Sequence, residues 1–164
     1  MSSTISITHM YTDSSGHTRF KKKLIPLEAK EGLGSVGLFS SLFVNKILDD
    51  NSGDIKMQFA VTPVPELNIG EGPKLAHTAP RRQLVITLDG YLEFKSCDVE
   101  TFDEEHRTII KKGDILFADD LEGAGHTWSF LKDENQRMHP WVRCYIHLGE
   151  EYKNFISRLQ DMDY

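Results

Sequence analysis

Short segments rich in Val, Ile, Phe, Tyr and Thr recur along this chain between turn-forming residues, and this spacing restricts it to a fold with many strands. Leu84 to Leu88, the turn at Asp89-Gly90, and Tyr91 to Ser96 predict a hairpin in which Leu92 and Phe94 share one face. Strands at residues 5–11 and 18–27 flank the turn-forming Ser14-Ser15-Gly16 and predict another hairpin near the start of the chain. Further strands are predicted at 55–62, 106–111, 115–118, 126–131 and 141–148. The pattern therefore predicts an all-β sandwich or barrel.

The end of the chain has a different period. Tyr152, Phe155, Ile156 and Leu159 follow the i, i+3, i+4, i+7 spacing of an amphipathic helix, which should begin after Gly149 and pack outside the sheets. Because the sequence contains neither a long repeat nor a linker-like stretch, we expect residues 1–164 to form one domain. A domain of about 150 residues buries roughly two-thirds of its unfolded surface, so metals or disulfides are not needed for stability.

Charge and cysteine content exclude several classes of function. The chain carries 19 Lys and Arg against 25 Asp and Glu, a net charge of −6, which disfavours binding to nucleic acid or to an anionic membrane. Cys97 and Cys144 are far apart and have no metal-like spacing. The first residues lack the features of a secretory signal, and no apolar run is long enough to span a membrane. We therefore expect a soluble, cytoplasmic protein with reduced thiols.

Two segments have the residue types and spacing of sequence motifs. The first runs from His77-Thr78-Ala79-Pro80-Arg81-Arg82-Gln83 to Gly90, within residues 70–90. The second follows Lys112, begins with Gly113-Asp114-Ile115-Leu116, includes Gly125-His126, and spans residues 113–131. They resemble the two motifs of the cupin superfamily, and this resemblance implies a single-domain cupin jelly-roll barrel, here with extra N-terminal strands and a short C-terminal helix.

The same resemblance implies a site, but with departures from the usual metal ligands. His77 stands at the first motif histidine, Ala79 at the second, Gln83 at the glutamate, and His126 at the histidine of the second motif. The common cupin site holds a divalent metal with three imidazoles and a carboxylate. The resemblance implies His77, Gln83 and His126 as ligands for Fe, Mn, Zn or Ni, but the two missing ligands favour a metal-free pocket. A carboxylate could still come from the loop at residues 119–125, which is longer than usual for the second motif and contains Asp119, Asp120 and Glu122.

Aromatic residues flank the second histidine. On a regular strand His126, Trp128 and Phe130 share a face, which is the lining expected of a small-molecule pocket. The alternative is that His126 is a hydrogen-bonded residue of the core.

Two further candidates depend on the direction in which side chains point. On strand 141–148 one face carries Trp141, Arg143, Tyr145 and His147, and the other is apolar. If the polar face lines the pocket, Arg143 could bind a substrate carboxylate while Tyr145 or His147 transfers protons; otherwise these residues lie on the solvent side. Arg81 could likewise bind an anion at the pocket mouth or anchor the turn around Pro80.

These observations lead to two functional hypotheses. The first is an enzyme that acts on a small organic molecule, with His77, His126 and Tyr145 as catalytic residues and Arg81, Gln83, Trp128, Phe130 and Arg143 as substrate-binding residues. It would be an isomerase or lyase that uses histidine as acid or base, or a metal-dependent oxygenase. The second is a non-catalytic protein that binds or senses a small ligand. Because sheet edges need covering, we also expect a homodimer that involves the N-terminal strands.

Overall fold

The computed structural model of the chain describes residues 3–30, 34–37, 57–64, 76–97, 103–148, 156–157 and 159–161. The strands within these ranges are β1 (Ser3–Thr12), β2 (Thr18–Lys30), β3 (Gly34–Gly37), β4 (Met57–Thr62), β5 (Gln83–Asp89), β6 (Tyr91–Ser96), β7 (Arg107–Lys111), β8 (Ile115–Asp119), β9 (His126–Phe130), β10 (Trp141–His147) and β11 (Gln160–Asp161). The prediction of an all-β fold is therefore confirmed.

The strands form two sheets. The larger has eight strands in the order β11-β2-β1-β8-β5-β10-β4, with β3 paired to β2, and the smaller has the order β7-β6-β9. The first predicted hairpin is confirmed, because β1 and β2 pair antiparallel from Ser3 and Leu27 to Thr12 and Thr18. The pairing of β1 with β8 is parallel, so the large sheet is mixed. The arrangement is consistent with a sandwich or a barrel-like fold.

The second predicted hairpin is wrong. β5 pairs with β8 and β10 in the large sheet, whereas β6 pairs with β7 and β9 in the small one. Only Gly90 separates β5 from β6, and its φ of 126° turns the chain from one sheet to the other. A Cβ at Gly90 would lie 3.2 Å from Leu92 Cδ1 and from Trp141 Cδ1, so the corner is also tightly packed. The Asp-Gly signal marked the turn correctly, but β8 and β10 occupy the two edges of β5, so β6 pairs within the other sheet.

Two apolar clusters cover the two faces of the large sheet. The inner cluster lies between the sheets and includes Val85, Leu116 and Phe94. The outer cluster lies on the opposite face of the large sheet and is formed by Ile7, Ile25, Leu84, Phe117, Cys144 and Ile146. Alternation along the strands explains the division, because neighbouring residues such as Leu84 and Val85 point to opposite faces. The strands that carry the candidate site are therefore held from both sides.

The C-terminal helix predicted for residues 150–160 falls mostly outside the described residues. Where this stretch is described, Ile156 has a helical backbone conformation, and Gln160–Asp161 form β11 beside β2. Ile156 and Leu159 do pack against the outer cluster, as expected of the apolar side of this segment. Among the described residues, none belongs to a helix long and apolar enough to cross a membrane.

Candidate functional site

A cavity of about 630 Å³ opens between the two sheets. Small-molecule sites have volumes of roughly 300 to 1,000 Å³, so this space is large enough for a metabolite-sized ligand. Its described lining comes from β1, β4, β5, β8 and β10 of the large sheet, from β6 and β9 of the small sheet, and from the segment 77–81 that precedes β5.

The floor of the cavity consists of side chains in register across the large sheet. One row runs from Met10 through Ala118 and Gln83 to His147. The next row runs from Leu116 through Val85 and Tyr145 to Gln58. All eight residues line the cavity. Because paired residues on neighbouring strands lie about 5 Å apart, Gln83 and His147 present their side chains next to each other.

Strand β10 has buried side chains on both faces. Trp141, Arg143, Tyr145 and His147 line the cavity, while Cys144 and Ile146 belong to the outer cluster. The pocket-side alternative is thus the one that the structure shows, and the solvent-side alternative is wrong. The sequence could not decide because a strand covered on both faces has no solvent side. On the outer face, burial raises the pKa of the Cys144 thiol, which keeps it protonated.

The opposite wall belongs to the small sheet. His126 pairs with Ser96 and Trp128 pairs with Phe94, and the side chains of His126, Trp128 and Phe94 line the cavity. Phe130 shares their face, but it is 4% exposed within the inner cluster and touches the cavity only through Trp128, with ring centroids 5.4 Å apart. The position of Phe130 therefore does not support its predicted role in binding substrate, because Trp128 lines the cavity and Phe130 does not.

The His126 ring is fixed by a buried carboxylate. His126 Nδ1 donates to Asp120 Oδ2 over 2.6 Å, and Thr18 Oγ1 donates to the same oxygen over 3.1 Å. Asp120 is 0% exposed and His126 is 4% exposed. Since a carboxylate accepts from Nδ1, the proton of a neutral ring lies on that nitrogen, and Nε2 is left as an acceptor. Asp120 was expected only as a possible metal ligand, and the structure instead makes it the partner of His126.

The segment of His77 lies directly beside His126 because of one glycine. The two backbones form a β-bridge, with His77 N donating to His126 O over 3.1 Å and His126 N donating to His77 O over 3.0 Å. Gly125 has a φ of 75°, and a Cβ there would lie 2.6 Å from the His77 carbonyl carbon. Only glycine permits this approach. It places the two imidazole rings 4.5 Å apart, with His77 exposed and His126 buried.

Arg143 is held by neutral groups. Its Nε donates to Tyr145 Oη over 2.6 Å, and its Nη1 donates to Thr62 Oγ1 over 2.8 Å and to Trp141 O over 3.1 Å. The guanidinium carbon lies 3.9 Å from the centroid of the Trp141 ring, a cation–π geometry. Among the described residues, neutral groups alone therefore fix the orientation of Arg143.

The two arginines of the first motif differ in their surroundings. Arg81 is exposed and lines the cavity. Arg82 lies outside the lining and forms an ion pair with Asp119, with Nε 2.6 Å from Oδ1 but without hydrogen-bonding angles. The ion pair with Asp119 gives Arg82 an anchoring role, whereas Arg81 is at the pocket.

The donor atoms do not fit the metal centre that the cupin resemblance implies. In the part of the chain that the structure describes, no group of three or more His, Cys, Asp or Glu side chains is placed to hold a metal ion. Ala79 contributes no ligand, and Asp120 is directed to His126 Nδ1. Two imidazoles and the amide of Gln83 lack the third nitrogen and the charge that such a centre uses.

The structure brings most of the predicted site residues to one cavity, namely His77, Arg81, Gln83, His126, Trp128, Arg143 and Tyr145. Sequence analysis missed the pairing of Asp120 with His126. The signal for it was an acidic residue in the loop that ends at the histidine, but its direction depends on the course of that loop. In comparisons with known proteins, no family model, no curated protein and no solved structure matches this chain.

Proposed function

We propose that the chain is a cupin-type enzyme that processes a small organic molecule between its sheets, with His126 as the acid or base. The observation that carries this proposal is the pair of Asp120 and His126, buried at the wall of a metabolite-sized cavity. An imidazole oriented by a buried carboxylate is a recurrent device for proton transfer. The cupin jelly-roll is part of the proposal, supported by the two motif histidines that lie side by side.

The proposed step is a proton transfer at carbon. His126 Nε2 takes a proton from a C–H bond next to a carbonyl or carboxyl group of the substrate, and the electron pair of that bond moves onto the substrate oxygen. The Asp120 carboxylate stabilises the positive charge that the ring acquires. Return of a proton to the same or a neighbouring carbon gives an isomer or epimer, whereas loss of a leaving group gives elimination.

A second proton donor is available on the floor. Tyr145 Oη accepts a hydrogen bond from Arg143 Nε, so its own hydroxyl proton can be donated toward the cavity. His147 lies two residues further along β10 on the same face. An isomerase that delivers the proton to a different face of the substrate needs such a second group.

The test is incubation of the protein in D₂O with a defined mixture of organic acids, amino acids and sugars, followed by mass spectrometry. We expect at least one compound to gain deuterium or to be converted, and we expect His126→Gln to abolish the change. Asp119→Asn is a suitable control, because Asp119 neighbours Asp120 but does not contact His126. Equal conversion by His126→Gln would overturn the proposal. A compound that remains bound and is recovered without deuterium would favour the ligand-binding alternative.

A further inference from the structure

The cavity has a positive wall in a negative protein. The chain has a net charge of −6, yet the described residues that line the cavity include two arginines and no aspartate or glutamate. Some arginines outside the cavity do face carboxylates, as Arg19 does with Asp13 at 2.7 Å and Arg137 with Asp133 at 3.8 Å. Neither Arg81 nor Arg143 forms an ion pair with any described residue. A cleft lined by one sign of charge attracts small ions of the opposite sign.

Arg143 has one unused edge. Its Nε and Nη1 are engaged by Tyr145, Thr62 and the Trp141 carbonyl, whereas no described residue accepts from Nη2. Arg143 is half-buried and its guanidinium carbon lies 3.9 Å from the centroid of the Trp141 ring, so it is held in place before any ligand arrives. A partly buried cation with neutral partners is most stable when an anion occupies the open side.

Aromatic side chains form the adjacent wall. The rings of Trp128 and Trp141 have centroids 5.0 Å apart, and Phe94 lies 5.6 Å from Trp141. These rings offer apolar faces to the body of a ligand, while polar groups fix its orientation. One such group is Gln83, which is 7% exposed, lines the cavity and has no side-chain hydrogen bond to the residues that are described. A buried amide without a partner is a site for a polar group of the ligand.

We infer that the cavity selects a small organic acid, with its carboxylate on Arg143, its apolar or aromatic body against Trp128 and Trp141, and a polar group near Gln83. This inference deepens the proposed function and rests on it for the reaction, but not for binding. Arg81, exposed at the edge of the cavity, adds to the attraction of the anion. The positive wall then compensates for the repulsion that a protein with excess negative charge exerts on an acid.

The two tryptophans allow a direct test, since the chain contains only two and both line the cavity. Intrinsic tryptophan fluorescence therefore reports on the pocket alone. We suggest titrating benzoate, phenylacetate and 3-phenylpropionate, each beside its neutral amide, with calorimetry as a second readout. At least one acid should bind at least tenfold more tightly than its amide. Arg143→Gln should weaken that acid at least tenfold and leave the amide unchanged, while Arg137→Gln, outside the cavity, should change neither.

Each outcome bears on the inference. If every acid binds no better than its amide, or if none binds, the inference is overturned. If Arg143→Gln does not fold, the comparison of acid with amide on the unmodified protein still decides, and Arg81→Gln supplies a variant at an exposed site. His126→Gln separates the two proposals. If the protein prefers the acid over its amide but catalyses no proton exchange, the proposed reaction is refuted and the inferred ligand class is not. If it converts a neutral compound in a reaction that requires His126, the inferred ligand class is refuted and the proposed reaction is not.

Discussion

Replacement of Asp120 by asparagine tests the core of the proposed site. Asparagine has the volume of aspartate and can still accept from His126 and Thr18, but it removes the negative charge beside the imidazole. The carboxylate is 0% exposed, and its Oδ2 receives both hydrogen bonds, at 2.6 and 3.1 Å. Proton transfer and stability should therefore both change, by amounts that follow from these two bonds.

The magnitude for stability can be estimated from the bonds. A hydrogen bond to a charged group contributes about 1.5–3 kcal/mol and a neutral one about 0.5–1.5, so the two bonds together lose about 2 kcal/mol. A neutral amide is cheaper to bury than a carboxylate, which makes this figure an upper value. For a chain of this length, 1 kcal/mol shifts the melting temperature by about 2–4 °C, so we expect a decrease of no more than about 8 °C. The rate of proton transfer should decrease by a factor of about 10² to 10⁴.

Two measurements check these values: thermal unfolding, and the rate of deuterium incorporation into the compound that the unmodified protein exchanges. Asp119→Asn is the matched control, because it makes the same change one residue away. Asp119 pairs with Arg82 and with His9, partly in contact with solvent, so its loss should cost about 1 kcal/mol or less and leave the rate unchanged. Equal rates for Asp120→Asn and the unmodified protein would refute the role of the pair.

Four further predictions concern separate features. Replacement of both His77 and His126 by alanine should abolish ligand binding and turnover but retain the β-rich circular dichroism spectrum, since these side chains face the cavity. Gln83→Glu should strengthen the binding of added Zn²⁺ or Mn²⁺ in calorimetry, because it supplies a negative oxygen ligand. Hydrogen bonds from the Arg137 backbone and from His139 hold the pKa of Asp133 at about 2, below the ordinary 3.8. The stability that this group contributes is therefore present above pH 3.8 and lost as the pH falls through 2. In thermal unfolding at acidic pH, the melting temperature of Asp133→Asn should decrease less over that interval than that of the unmodified protein. Light scattering should give twice the monomer mass of 18.7 kDa for the expected homodimer, and the monomer mass would contradict it.

The fold was predictable where the pattern was local. Alternation of apolar residues located the strands from β4 to β10 within a few residues, and the turn-forming Ser14-Ser15-Gly16 between β1 and β2 predicted their pairing correctly. The pairing of β5 was not predictable in this way. Its residues Leu84, Val85 and Ile86 are apolar on both faces, as in a central strand, and the partners of a central strand lie far away in the chain.

The sequence predicted which candidate site residues share a strand face, but not which of their side chains touch each other. Period-two alternation grouped Arg143, Tyr145 and His147 correctly, yet it could not say which sheet they faced. The same alternation included Phe130 with His126 and Trp128, although the cavity ends before Phe130. The contact of Asp120 with His126 depends on the path of the loop between β8 and β9, where positive φ angles at Gly123 and Gly125 set the direction.

The backbone connects the departures from the cupin metal motif with the pairing of Asp120 and His126. Ala79, at the position of the second motif histidine, is 5% exposed within the inner cluster, and its N–H donates to the carbonyl of Asp120 over 3.0 Å. An imidazole at this position would have to displace packed side chains, at a cost of about 1–3 kcal/mol. Ala79, which supplies no metal ligand, therefore also holds, through its backbone N–H, the loop that directs the Asp120 carboxylate to His126 Nδ1. Together with the neutral Gln83, this arrangement fits the proposed proton transfer better than metal chemistry, because the Asp120 carboxylate already pairs with His126 Nδ1.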